Sequence, residues 1–175
     1  VQLVKTNILM HKLNEYSHDM KSMNDKNFKE FVYFNYTLGI YADPKNKNSK
    51  SKKLKIELKI NKSVVLKKLG INGINDLSDK SKLEFLFHEF LNRFDELTII
   101  DEIKNFESFS VIDLENLKKY RNPTFWSELT INNRRQEKLL HKKNFLRIQK
   151  EYGLNSLKNQ LKKSVAEGFS LFIKN

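Results

Sequence analysis

The sequence predicts an α+β fold, in which an antiparallel β-hairpin or small sheet packs on an amphipathic helix and is followed by a helical C-terminal half. Two patterns predict this class. Apolar and polar residues alternate over 31–42 and again over 54–61, a period of two that is typical of half-buried strands. After residue 80, apolar residues recur every three or four positions, as they do on one face of a helix.

The amino half is predicted to contain one helix and two strands. The apolar spacing over 6–23 predicts an amphipathic helix, and the first strand follows over 31–42. The stretch 43–53 opens with Asp-Pro and has no apolar residue, so we expect a mobile loop before the second strand. The apolar positions of the first strand are Val32, Phe34, Tyr36, Leu38, Ile40 and Ala42. The hairpin therefore has one apolar face and one polar, basic face that carries tyrosines.

The rest of the chain is predicted to be mainly helical. Ser81 and Glu84 have the spacing of a capping box ahead of the strongest amphipathic helix, which we expect to cover the apolar face of the hairpin. A short strand over 98–100 comes next. Four further helices are expected, from Ser110, from Pro123, over 134–152 and from Ser156. We expect an α+β core with a basic hairpin over 1–110 and a basic helical subdomain over 111–175, together forming one continuous domain.

Composition excludes several classes of protein. Without cysteine the chain has no disulfide framework, no Cys-type zinc site and no thiol nucleophile. No apolar run approaches the roughly 18 to 20 residues of a membrane span, so we expect a soluble, intracellular protein, cytoplasmic or nucleoid-associated, with no membrane partner. Because the first residue is Val rather than Met, we expect a fragment, a processed product or a shortened form.

The net charge of +12 is distributed unevenly. The 28 Lys and 20 Asn are typical of an AT-rich coding sequence and by themselves say little about function. Residues 1–44 are neutral, whereas 45–68 hold ten Lys against one acid, for +9. Residues 71–117 hold eleven acids and four bases, for −7, and 118–175 hold fourteen bases and four acids, for +10. Two basic segments flanking an acidic one indicate two positive surfaces.

The charge pattern favours a nucleic-acid-binding protein without enzymatic activity or cofactor, with DNA preferred to RNA. A two-stranded ribbon fits the major groove, lysines neutralise phosphates, and tyrosine rings stack on bases. The predicted contacts in the amino half are Tyr41, Lys45, Lys47, Lys50, Lys52, Lys53, Lys55 and Lys62. Those in the carboxyl half are Arg134, Arg135, Lys138, Lys142, Lys143, Lys158, Lys162 and Lys163.

The last two helices resemble, over about 20 residues, the helix-turn-helix of many DNA-binding proteins. Gly153 would lie in the turn, and 156–165 would be the recognition helix. Its buried positions, Leu157 and Leu161, depart from the usual spacing, which favours an ordinary helical hairpin.

An alternative function is a metal-dependent nuclease. Asp43-Pro44, followed by Glu57-Leu58-Lys59, is similar to the Asp…Glu-x-Lys signature of the restriction-endonuclease-like superfamily, also written PD-(D/E)xK. The resemblance implies that Asp43 and Glu57 hold Mg²⁺ and that Lys59 stabilises charge on the attacking water or the transition state. Glu30 would be an additional acid.

A second alternative is a structural or assembly subunit. In this hypothesis the acidic 71–117 segment meets a basic surface of a protein partner or of a second copy, as in a homo-oligomer.

Overall fold

A computed structural model describes residues that form two compact units: 28–42, 54–96 and 162–174 in the first unit, and 8–12, 97–103 and 105–161 in the second. The strands are β1 (Ile8–His11), β2 (Phe28–Val32), β3 (Tyr36–Ala42), β4 (Leu54–Ile60) and β5 (Leu97–Ile99). The helices are α1 (Ser63–Lys68), α2 (Lys80–Asp95), α3 (Val111–Tyr120), α4 (Pro123–Ile131), α5 (Arg135–Glu151) and α6 (Ser156–Lys174), with a 3-10 turn at Ile74–Ser78.

The first unit is built on an antiparallel sheet with the strand order β2-β3-β4. The β3–β4 ladder confirms the predicted hairpin, with Leu38 opposite Leu58. The predicted strand over 31–42, however, is two strands, because the chain turns after Val32 and the Tyr33 amide bonds to the Tyr36 carbonyl at 2.9 Å. The sheet therefore has a third strand that the alternation alone did not reveal.

The turn also changes which positions face inward. In β3 the apolar face carries even-numbered residues such as Leu38, whereas in β2 the buried residue is Phe31, which pairs with Leu38. Val32 pairs with Thr37 and is exposed, and Phe34 is also exposed, so their predicted burial was wrong. The loop between Val32 and Thr37 contains an even number of residues, which reverses the parity of the alternation.

The carboxyl end of helix α2 contacts the first residue of β3, Tyr36. The Tyr36 hydroxyl donates to Glu96 at 3.3 Å, and the Arg93 guanidinium lies 4.5 Å from the centre of the Tyr36 ring. Burial and the nearby Glu96 carboxylate raise the pKa of Tyr36 to about 12. The ring of Phe87 in α2 stacks on that of Phe169 in α6, with 3.9 Å between the ring centres, so the apolar side of α2 packs on α6.

The start of α2 differs slightly from the prediction. Asp79 is the N-cap and accepts from the Ser81 amide at 2.9 Å, so Ser81 lies inside the helix. Asp79 is a favourable N-cap because its carboxylate is negatively charged, whereas a serine hydroxyl is neutral, and the amino end of a helix dipole is positive.

The second unit is a short ladder beside four helical segments. Strand β1 pairs with β5, so the predicted helix over 6–23 was wrong at 8–11, where pairing with a distant strand outweighs the local periodicity; its other residues lie outside those the structure describes. The predicted starts at Ser110 and Pro123 are confirmed, since Ser110 accepts from the Asp113 amide at 3.1 Å and Pro123 follows the N-cap Asn122. The core contains Met10, Ile100, Leu117, Tyr120, Trp126, Leu129, Phe145, Ile148 and Leu154.

The architecture confirms the predicted α+β class, a small antiparallel sheet with a mostly helical C-terminal half. The border expected near residue 110 stays a prediction. Within the described residues, no helix is long and apolar enough to cross a membrane.

Candidate nucleic-acid interface

The polar face of the sheet is organised in rows that cross the three strands. One row contains Glu30, Gly39 and Glu57, and the next contains Val32, Thr37 and Lys59. Residues opposite each other in an antiparallel ladder project from the same face, so Glu30, Glu57 and Lys59 share this face. Sequence alternation predicted the placement of Glu57 and Lys59 correctly, whereas Glu30 was expected ahead of the strand and lies within β2.

Tyr41 is tied to the acid on this face. Its hydroxyl donates to Oε2 of Glu57 at 3.0 Å, across the β3–β4 ladder. The side chain is half-buried, and Lys55 lies directly opposite it in the register. The Tyr41 ring is therefore held in place, and its hydroxyl is engaged in a hydrogen bond to Glu57.

The turn between β2 and β3 exposes a ring that the sequence placed inside. Phe34 is 80% exposed, and the Lys62 ammonium lies 4.6 Å from the centre of its ring. The Asn61 amide donates to the Asn35 carbonyl at 2.8 Å, and Asn61 Nδ2 donates to the Tyr33 carbonyl at 3.2 Å. These bonds hold the turn against the end of β4, so Phe34 is exposed on a turn whose backbone is fixed by hydrogen bonds.

The basic character continues from β4 into α1. We call the described lysines of this segment the β4–α1 basic surface: Lys55, Lys59, Lys62, Lys67 and Lys68. All five are exposed, and Glu57 is the single acid in the segment. Sequence reasoning counted Lys67 and Lys68 in the basic block but left them out of the predicted site. They lie in the last turn of α1, a position that suits cations because of the helix dipole.

Most acids of the 71–117 segment have hydrogen-bond or ion-pair partners within the chain. Seven of its eleven acids cap helices or form hydrogen bonds and ion pairs, namely Asp76, Asp79, Glu89, Asp95, Glu96, Asp101 and Asp113. Asp76, for example, bonds to Lys82 and to the amides of Asn72 and Gly73, which lowers its pKa to about 2. Two of these partners, Lys162 and Arg147, are cations from outside the segment, whereas Lys82 and Arg93 are already included in its net charge of −7. Many of the carboxylates are therefore held by contacts within the fold, while most of the net negative charge of the segment remains.

Helix α5 carries a second group of exposed cations. Arg135, Lys142 and Lys143 are exposed, and Lys143 lies on the side of the helix opposite Phe145 and Ile148, which are buried. Two leucines, Leu139 and Leu146, are 46% and 52% exposed on the same side. This part of the helix surface therefore mixes cationic side chains with apolar ones.

Other predicted cations of the carboxyl half already have partners. Lys158 donates to the Leu97 carbonyl at 2.8 Å, and Lys162 lies 2.6 Å from Asp95. Weaker contacts join Arg134 to Glu137 at 3.6 Å and Lys163 to Glu167 at 3.9 Å. Lys138 is half-buried and donates to Thr130, and burial together with Lys142 lowers its pKa. Lys158 and Lys162 contact protein groups. Two of the side chains expected to contact DNA from the recognition helix of a helix-turn-helix are therefore engaged within the fold.

The remaining predicted residues, Asp43, Lys45, Lys47, Lys50, Lys52 and Lys53, lie outside the residues that the structure describes. In the described part of the chain, no three His, Asp or Glu side chains come together as metal ligands. Glu57 is the described member of the predicted metal pair.

No protein-family model, curated protein or solved structure matches this chain. A proposal for its function therefore rests on the arrangement of its own residues.

Proposed function

We propose that this protein binds nucleic acid, with DNA preferred to RNA, through the β4–α1 basic surface. The observation that carries the proposal is the five exposed lysines accompanied by one acid, Glu57, which itself accepts a bond from Tyr41. Solvent-exposed ammonium groups can replace the counterions of a phosphate backbone, and the release of those counterions drives association. Arg135, Lys142 and Lys143 on α5 supply a second, smaller group of phosphate contacts.

A charge-removal series tests this surface. The variant Lys59→Gln/Lys67→Gln/Lys68→Gln removes three charges from it, and the control Lys118→Gln/Lys119→Gln/Arg121→Gln removes three from the end of α3. Binding of labelled duplex and single strands is measured by fluorescence anisotropy over a range of salt concentrations. We expect the first variant to reduce the slope of log K against log salt by about 2 to 3, since each phosphate contact contributes about 0.7 to 0.9.

The control distinguishes a defined surface from general attraction. Equal losses in the two variants would show that only net charge matters, and the proposed surface would be wrong. If the wild-type protein bound neither duplex nor single strands at low salt, the whole proposal would fall. DNA and RNA strands of the same sequence, compared in the same assay, test the expected preference for DNA.

The row Glu30–Gly39–Glu57 supports a second candidate, the Mg²⁺-dependent nuclease. Gly39 separates the two glutamates in this row, and Lys59 lies in the next row of the same face. Two carboxylates with a nearby lysine suit the binding of Mg²⁺ and the stabilisation of charge at phosphorus. This candidate predicts Mg²⁺-dependent cleavage that Glu57→Gln and Lys59→Ala abolish while binding survives. Binding without cleavage in Mg²⁺ or Mn²⁺ would exclude it.

A further inference from the structure

The Phe34 ring stands on a rigid turn. Asn61 fixes the turn through its two bonds to Asn35 and Tyr33, and its Nδ2 also donates to Thr37 Oγ1 at 3.1 Å. The ring of Tyr33 stacks on Tyr36 at 4.9 Å, which holds the other side. The surrounding contacts therefore hold the backbone of the turn, and this backbone presents the aromatic ring of Phe34 to solvent.

We propose that Phe34 is a stacking platform for an unpaired nucleobase, so that the nucleic acid on the β4–α1 basic surface is single-stranded at this turn. The inference rests on the proposed function. A base inside a duplex is stacked on its neighbours and offers no face to a protein ring, whereas an unpaired base of any kind can lie on an aromatic side chain.

Lys62 makes this ring different from the other exposed rings. Its ammonium lies over the Phe34 ring, at 4.6 Å from the centre, and the residue is 80% exposed, so ring surface remains for a base. The phosphate next to a stacked base would then meet Lys62, and the following phosphates would meet Lys59 or the end of α1. Stacking and charge are the two elements of sequence-tolerant single-strand binding.

The tyrosines are less suited to this role. The Tyr41 hydroxyl is bound to Glu57 and Tyr33 is stacked on Tyr36, so both rings already serve the sheet. Among the described residues, Phe85, Phe106 and Phe172 are also exposed, but none of the three has a cation above its ring. Phe85, on α2, therefore serves as a matched control.

The test compares three probes of about a dozen nucleotides, a length typical of single-strand sites: oligothymidylate, a strand of abasic residues and a duplex. The abasic strand keeps every phosphate and lacks the bases. We expect Phe34→Ala to weaken oligothymidylate binding by about 5- to 150-fold and to leave abasic binding unchanged, because stacking of a base is lost and phosphate contacts remain. Phe85→Ala should change neither.

A tryptophan variant gives a direct signal. In Phe34→Trp the new indole should retain oligothymidylate binding and be quenched by it, while Trp126 is buried in the second unit and gives a constant background. Circular dichroism spectra of the variants should match that of the wild type, because the substituted side chain is exposed.

The outcomes separate the two proposals. If Phe34→Ala binds oligothymidylate as tightly as the wild type, the stacking platform is wrong, while binding of all three probes would still support the basic surface. If the wild type binds none of the probes at low salt, the proposed function fails and the platform fails with it.

Discussion

The ammonium of Lys162 lies 2.6 Å from Oδ2 and 2.9 Å from Oδ1 of Asp95. One residue comes from the basic carboxyl-terminal segment and the other from the acidic middle segment, so each predicted surface loses a charge to this pair. Both side chains remain more than a third exposed, and pairs of this kind contribute about 0 to 1 kcal/mol to stability. Its importance lies in deciding which lysines are available to a phosphate.

Lys162 is therefore expected to matter less for binding than Lys59. A phosphate at Lys162 must compete with Asp95, whereas Lys59 forms no ion pair with any residue that the structure describes. Lys59→Gln should reduce the salt slope by about 0.7 to 0.9, and Lys162→Gln by less than about 0.3. Anisotropy titrations at several salt concentrations measure both slopes. Equal reductions would show that Lys162 leaves Asp95 when nucleic acid binds.

Asp113 should be a main stabilising residue of the second unit. Its buried carboxylate accepts bonds from the Arg147 guanidinium and the Tyr152 hydroxyl, and Ser110 caps the same turn. Asp113→Ala removes the acceptor of both bonds. Because Arg147 is half exposed and also donates to Glu151 and Asn144, we expect the free energy of unfolding to fall by about 1 to 2 kcal/mol. Urea denaturation measures the loss.

The same carboxylate gives an acid-dependent signature. The hydrogen bond from Arg147, followed by that from Tyr152, lowers the pKa of Asp113 in the folded protein. Its contribution is therefore complete above the unfolded pKa, near 4, and is lost as the pH falls through the lower, folded value. Stability of the wild type should fall over this range more steeply than that of Asp113→Ala. Parallel pH profiles for the two proteins would contradict this account.

Tyr120 should be needed for its hydroxyl as well as its ring. The side chain is fully buried, and its hydroxyl lies 3.0 Å from His141 Nδ1 and accepts from Asn144 Nδ2 at 3.0 Å. Tyr120→Phe keeps the packing but removes both bonds, so we expect a loss of about 1 to 3 kcal/mol in unfolding free energy. If Asn144 acts through this hydroxyl, Asn144→Ala should lower the unfolding free energy less in the Tyr120→Phe variant than in the wild type. Strictly additive losses would show that the two groups act separately.

Lys29 should give the protein an alkaline gain in stability. It lies on the same sheet face as Ile40, and burial lowers the pKa of its ammonium from 10.5 to about 8. Between these values the unfolded chain holds a proton that the folded chain has released, so stability rises with pH over about 8 to 10.5. After allowance for partial exposure, the expected gain is about 1 to 2 kcal/mol. Thermal melts across this range should show a flatter profile for Lys29→Met than for the wild type; identical slopes would refute the assignment.

Local patterns in the sequence were sufficient for several elements. The alternation over 54–61 predicted β4 and the face that carries Glu57 and Lys59, because a strand repeats every two residues whatever it pairs with. Ser110 and Pro123 predicted two helix starts, since capping depends on residues within one turn. The fold class followed from these periodicities.

The candidate site was only partly predictable. Phe34 was assigned to the apolar face because the alternation continues through the turn, and no local signal in Tyr33 to Asn35 marks the reversal of the chain. The bracing residue, Asn61, is 28 positions from the Tyr33 carbonyl that it bonds. A contact of that separation cannot be read from spacing along one strand.

The sequence by itself determined the α+β class, the polar face of the β3–β4 hairpin and the positions of the positive charges, because each depends on neighbouring residues. Only the tertiary structure decided which charges remain exposed: Asp95 and Lys162 are 67 positions apart and neutralise each other, while Lys59, Lys62 and Lys67 stay at the surface. The physical reason is that an ion pair depends on distance in space, and folding alone brings those side chains within reach.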